Sequence, residues 1–243
     1  MILQGEKLTK YFAGILAVAD VDMSLGENEV LGIMGPNGAG KTTLFNLLSG
    51  YYRPTKGSVT LLQNNITNCK PYQIVQMGLA RTFQLVRPFQ ELTVLQNVMV
   101  GSIFGPEKTV SMSEGKNKAM DVLDFVELSH RAQALGKTLN IQERKRLEIA
   151  RALASNPRVL LLDEVLAGLT PTESQKAVGL IKKIRKEKKL SIIMVEHVMK
   201  ALMELSDRLV VLNYGRKIAE GTPDEVIQEK EVIKAYLGEK TSA

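Results

Sequence analysis

One cysteine, Cys69, stands in 243 residues, so no disulfide framework holds this chain, and the thiol reads as structural. No stretch approaches the roughly 18 uninterrupted apolar residues that a membrane-spanning helix needs. The opening Met1-Ile2-Leu3-Gln4-Gly5-Glu6-Lys7 is too polar for a secretory leader, and the expected compartment is the cytoplasm. Aromatic residues are few, 5%, and are not interleaved with the basic ones, which leaves out the base-stacking pattern of a nucleic-acid binder. The formal charge of +6 is partly local. Lys182-Lys183-Ile184-Arg185-Lys186-Glu187-Lys188-Lys189 ends a predicted helix, where cations suit the helix dipole and a solvated face. A basic face also suits docking beneath an anionic membrane. The length allows one domain, or a domain with a subdomain, around a large core.

What is present is organised around Gly35-Pro36-Asn37-Gly38-Ala39-Gly40-Lys41-Thr42-Thr43, which fits the G-x-x-x-x-G-K-[ST] phosphate loop at every fixed position. Val30 to Met34 reads as a short buried strand before it, and Lys41 to Leu48 as a helix after it. The glycines let consecutive N–H groups face an anion, and the helix N-terminus adds its positive end. Lys41 is expected to reach the β- and γ-phosphates of a nucleotide, and Thr42 to offer its hydroxyl to Mg²⁺.

Taken in order, Ile2 to Leu8 and Ala17 to Leu25 read as strands, with Tyr11 and Phe12 just outside the first; a ring there suits either adenine stacking or an ordinary core. Ser58 to Leu62 is a further strand, and Leu79 to Phe83 a buried one ending at Gln84, which is a metal or water ligand or simply a polar loop residue. From Thr93 to Leu153 the pattern turns helical, interrupted by a loop at Gly105 to Gly115; in its last helix Leu147, Ala150, Arg151 and Ala154 line one side. Val159-Leu160-Leu161-Leu162-Asp163-Glu164 closes an apolar strand on two acids. Asp163 is placed to hold Mg²⁺, and Glu164 to take a proton from an attacking water. Ser191 to Val195 is the next buried strand, ending at Glu196-His197; a histidine there is structural or catalytic. A hairpin around Asn213-Tyr214-Gly215 and two short helices complete the chain.

The order phosphate loop, glutamine-ended strand, helical insert, Leu-Leu-Leu-Asp-Glu, and strand-then-histidine resembles the ATP-binding cassette (ABC) subunit of ABC transporters along the whole chain. The resemblance implies an α/β fold: a phosphate-loop ATPase core sheet, an N-terminal antiparallel β portion, and a helical subdomain at 93–153 inserted between core halves 1–92 and 154–243. It implies that Phe12 stacks on adenine, with Tyr11 the fallback, and that Gln84 touches Mg²⁺ and relays nucleotide state to a membrane subunit. It further implies that Glu164 is the general base, that Ala167-Gly168-Leu169-Thr170 crosses a dimer interface, and that His197 contacts the γ-phosphate. Gly78-Leu79-Ala80-Arg81-Thr82-Phe83-Gln84 with Val86-Arg87-Pro88-Phe89, and the ending Gly221-Thr222-Pro223-Asp224-Glu225-Val226 with Ile233-Lys234-Ala235-Tyr236-Leu237-Gly238, are similar to branched-chain amino acid importer cassettes. The implied activity is MgATP hydrolysis driving uptake of branched-chain or similar hydrophobic amino acids. The implied partners are a second cassette, two membrane permeases and, indirectly, a solute-binding protein, with the chain peripheral on the inner face of the membrane; the apolar Leu85, Val86 and Phe89 that follow Gln84 suit a permease dock over Gln84 to Phe89 or a roof over the helical insert. An exporter or lipid-handling cassette and a non-transport ABC ATPase are the alternatives. The family's Leu-Ser-Gly-Gly-Gln signature reads here Leu139-Asn140-Ile141-Gln142-Glu143, and Val165 replaces the usual proline. Because a signature serves the partner's site in that family, the expectation is an asymmetric heterodimer.

Overall fold

The computed structural model describes residues 1–83, 88–105 and 111–237. Elements run β1 (Leu3–Phe12), β2 (Ile15–Leu25), β3 (Val30–Met34), α1 (Lys41–Leu48), β4 (Lys56–Leu61) and β5 (Asn64–Asn65). There follow α2 (Pro71–Gln76), β6 (Leu79–Arg81), α3 (Val94–Ile103), α4 (Met112–Phe125), α5 (Ile141–Ala154), β7 (Val159–Asp163) and α6 (Pro171–Lys188). The last are β8 (Ser191–Val195), α7 (Met199–Leu205), β9 (Arg208–Asn213), β10 (Arg216–Gly221), α8 (Pro223–Val226) and α9 (Lys230–Leu237). Residues form two compact units, Met1–Pro71 with the chain from Ser191 onward, and Tyr72–Leu190.

In the first unit β1 pairs antiparallel with β2 and β4, and β4 with β5. β3 pairs parallel with β8 on one side and β9 on the other, and β10 runs antiparallel to β9. All five residues of β3 and of β8 are buried, which is why both read as unbroken apolar runs: a parallel strand covered on two faces has no polar side to show. β1 extends past Leu8 to Phe12, so Tyr11 and Phe12 lie inside the strand, opposite Leu16 and Ile15. Register shifts between Gly5, Leu8 and Lys10 break the alternation, and the turn is the pair Ala13 (φ 44°) and Gly14 (φ 87°), the left-handed conformation that a tight hairpin requires.

In the second unit β6 pairs parallel with β7, in the register Leu79↔Val159 to Arg81↔Leu161. Thr93, Ser111, Asn140 and Thr170 each close a reciprocal cap with the glutamine or glutamate three residues on, which fixes where α3, α4, α5 and α6 begin. The Ser111 cap starts α4 early, so Gly115 lies within the helix and not at the end of a loop. On α5, Leu147, Ala150 and Ala154 are buried, whereas the Arg151 guanidinium lies 4.9 Å from the centroid of the half-exposed Phe89 ring. The basic run at the end of α6 is partly used locally: the Lys183 ammonium stands 4.4 Å and that of Lys188 4.9 Å from the Phe125 ring centroid.

β3 admits no side chain at Gly32. A Cβ there would stand 2.5 Å from Leu209 Cδ2 and Ser206 Oγ and 2.9 Å from Leu202 Cδ1. Gly32→Ala is expected to destabilise the protein by about 1–3 kcal/mol through overpacking. Urea unfolding checks it, and an unchanged midpoint would contradict this packing.

Candidate active site

The phosphate loop joins the end of β3 to α1 in the first unit. Gly40 caps α1 with φ 98°, and a Cβ at that position would meet Ala17 O at 2.6 Å, so both conformation and space demand glycine. The loop is braced from outside: Gly215 N donates to Ala39 O at 3.0 Å, and Ala19 N donates to Gly215 O at 2.8 Å. Lys41 is buried, and its ammonium donates to Gly35 O at 2.7 Å and Pro36 O at 3.0 Å, which holds the positive charge inside the turn of the loop. Thr42 is exposed at the first turn of α1. His197 lies just beyond β8, exposed, and the pairing Ile33↔Val195 puts it at the same sheet edge as the loop.

Phe12 and its neighbours form a surface cluster. Its ring packs edge-on against Tyr52 at 5.1 Å, and the Lys10 ammonium lies 5.2 Å from the Phe12 centroid. The ring is 37% exposed, which removes it from the core and leaves a face for a flat ligand. Tyr11 is also exposed. The C-terminal helix stands beside the same loop, and desolvation pushes the Tyr236 phenol pKa up, with Gly35 N–H opposing. Glu231 and Lys234 of α9 line one cavity with Asn37 and Gly38.

In the second unit Asp163 ends β7 and pairs with Arg81 of β6, Nη2 to Oδ2 at 2.9 Å, with side-chain exposures of only 2% and 9%. Its N–H donates to Thr82 Oγ1 at 3.0 Å. Burial holds the Asp163 carboxyl above its ordinary range, with Arg81 opposing. Its Oδ1 is buried and has no hydrogen-bond partner among the described residues. A buried anionic oxygen in that condition fits a cation or a cation-bound water. Among the described residues no three His, Cys, Asp or Glu side chains are grouped to hold a metal ion. Glu164 follows, buried, with φ 49°, and its carbonyl accepts from Lys145 Nζ at 2.8 Å. Gln84 lies outside the described residues.

At the start of α5, Asn140 Oδ1 accepts from Glu143 N at 2.9 Å and Glu143 Oε2 accepts from Asn140 N at 3.0 Å, so the residue in the serine's place still caps the helix. Ile141 is 57% exposed and Gln142 partly exposed. Arg81, Lys145 and Tyr236 were not among the expected site residues. For Arg81 the only sequence signal is a cation in an otherwise apolar segment, whereas Lys145 lies between Arg144 and Arg146 and nothing in the sequence sets it apart.

A family profile described as ABC transporter matches residues 18–167. The chain belongs to the ABC transporter family. A second profile, for the branched-chain amino acid ATP-binding cassette transporter, matches residues 216–241, the segment containing α9. The chain is 40% identical to the high-affinity branched-chain amino acid transport ATP-binding protein LivG of Salmonella typhimurium, over 94% of each chain. It is also 40% identical to the corresponding protein BraF of Pseudomonas aeruginosa, over 98% of each. It is 33% identical to the lipopolysaccharide export ATP-binding protein LptB of Haemophilus influenzae, over 98% of each. Crystal structures of an ATP-binding cassette, one nucleotide-free and one in its ADP conformation, superpose with TM-score 0.87 at 31% identity, covering 98% of this chain and 99% of theirs. The fold is thus that of an ABC ATPase, a nucleotide-binding cassette of a class that works as a dimer with membrane permeases.

Lys41→Ala is expected to weaken ATP binding about 10- to 100-fold, the loss of one or two charged contacts. Unchanged affinity in a fluorescent-nucleotide titration would contradict the role. Glu148 of α5 carries a pH signature: it is buried, and burial raises its pKa against the opposing pull of Arg151, Phe83 N–H and Lys145. The folded state therefore keeps this proton to higher pH than the unfolded chain, and stability falls as pH rises from about 4.5 through the raised value. Glu148→Gln, neutral throughout, is expected to show a shallower fall in unfolding free energy over that range. An equal or steeper fall would contradict it.

Proposed function

We propose that the chain binds MgATP at its phosphate loop and hydrolyses it, face to face with a related cassette, to drive uptake of branched-chain or similar hydrophobic amino acids. Two membrane permeases and, indirectly, a solute-binding protein complete the system, with the cassette on the inner face of the membrane and no nucleic acid involved. The observation that carries the solute class is the branched-chain profile over 216–241, whose helix α9 lines a cavity with the phosphate loop through Glu231 and Lys234. The likeness to LptB supports one second reading, a lipid-exporting cassette.

In this reading the loop N–H groups and Lys41 hold the β- and γ-phosphates, and Phe12 stacks on adenine. Thr42, Gln84 and Asp163 would hold Mg²⁺. When bound, the metal supplies positive charge to the phosphate oxygens. Glu164 accepts the proton of the attacking water, and His197 orients the γ-phosphate. Residues 93–153 form the helical subdomain between core halves 1–92 and 154–243. The exposed rings of Phe83 and Phe89, flanking Gln84, support a permease contact there.

The altered signature makes the pair asymmetric. Asn140 keeps the α5 cap, but Gln142 stands where glycine lets backbone approach phosphate closely. One lost charge-assisted contact costs about 1.5–3 kcal/mol, roughly ten- to a hundredfold in rate, at the site this helix completes on the partner. This chain's own Lys41 and Glu164 keep a full site with an intact partner signature. Glu164→Gln in the assembled complex is therefore expected to retain ATP binding and abolish most turnover, whereas the same change in the partner's base costs little. Parental turnover in Glu164→Gln would sink the base assignment, and equal losses from the two changes would sink the asymmetry.

A further inference from the structure

Glu164 stands in a left-handed conformation, φ 49°, that residues with a Cβ rarely adopt, so something must hold it there. Its carbonyl is the anchor. Ala167 N donates to it at 3.2 Å, closing a turn, and Lys145 Nζ donates to it at 2.8 Å from the second turn of α5. Lys145 is 9% exposed and Glu164 8%, so this bond is made away from water, where a charged donor is at its strongest, and losing it leaves the carbonyl only the longer bond from Ala167 N among those two. The turn so closed leads directly into Ala167-Gly168-Leu169-Thr170 and α6. The same helix begins at Asn140, five residues before Lys145, with the altered signature. One rigid element thus carries at its N-terminus the segment that serves a partner's site and, on its buried face, the donor that fixes this chain's own acidic turn.

We propose that Lys145 is a positioning residue for Glu164: its ammonium pins the glutamate's carbonyl and so fixes where the carboxylate stands, tying α5 to this chain's own base. The inference rests on the reading of Glu164 as the base. A lysine that served only to fill and stabilise the core would affect folding; one that positions the base affects the chemical step and spares nucleotide binding.

The test uses the chain assembled with its partner subunits and compares Lys145→Met, which keeps length and burial but removes the donor, with Lys145→Arg, which keeps a charged donor. The measurements are kcat and KM for ATP, nucleotide affinity, and thermal midpoint. The Met variant is expected to lose at least tenfold in kcat per bound nucleotide, with KM and affinity within about twofold, and the Arg variant to recover most of it. Should the Met variant fail to fold, Lys145→Gln, shorter and neutral, replaces it with the same expectation. Unchanged kcat, a loss that follows the folded fraction, or no recovery by arginine would overturn the proposal. Glu164→Gln is measured alongside: turnover surviving that change removes the base reading itself, whereas turnover lost in Glu164→Gln but kept in Lys145→Met removes only the role of Lys145.

Discussion

The backbone turn from Gly35 to Gly40 is the constraint on which the first unit depends. A loop that curls several N–H groups around one anion uses left-handed conformations, and contacts with neighbouring backbone hold it in that shape. Here β3 delivers the loop from a fully buried strand, Gly215 clamps Ala39 O, and Ala17 O stands where a Cβ at Gly40 would go. The charge of Lys41 is preplaced among the carbonyls of Gly35 and Pro36. The loop is therefore held in shape by the chain's own contacts, which lowers the ordering cost of binding an anion there. Glu231 and Lys234 of the C-terminal helix line a cavity with Asn37 and Gly38, which sets the segment matched by the branched-chain profile beside the phosphate loop.

The second unit solves a different problem. It places carboxylates where water is scarce, which raises the pKa of Asp163 and Glu148, and offsets part of that cost with Arg81, Arg151 and Lys145. The offset is incomplete at Asp163 Oδ1. Residual polar need at a strand end is what a functional site retains and a purely structural one removes.

Much of this was legible. Strands β3, β7 and β8 announce themselves as apolar runs because parallel strands are buried on both faces, and the phosphate loop is fixed by glycine and lysine chemistry at set spacing. The length of β1 was not legible, because bulges near Gly5 and Leu8 break the period-2 pattern and Ala13 is an unexpected left-handed residue. Nor was the start of α4, where the Ser111 cap outweighs Gly115. Pairs formed by folding were invisible in principle: Arg81 and Asp163 are 82 positions apart and Lys145 and Glu164 are 19 apart, and no local pattern joins them. The role of Phe12 was ambiguous in the sequence because a strand-end ring suits core or surface equally, and its exposure beside Tyr52 favours the surface.

ATP hydrolysis at this cassette drives inward movement of branched-chain amino acids. The most direct measurement is uptake of labelled leucine, isoleucine and valine into vesicles reconstituted with the chain, its partner cassette, its permeases and its solute-binding protein, with ATP supplied on the cassette side. Uptake is expected to depend on ATP and to stop with Glu164→Gln. ATP hydrolysis with no uptake of any of the three, or with lipid extracted from the membrane instead, would contradict it.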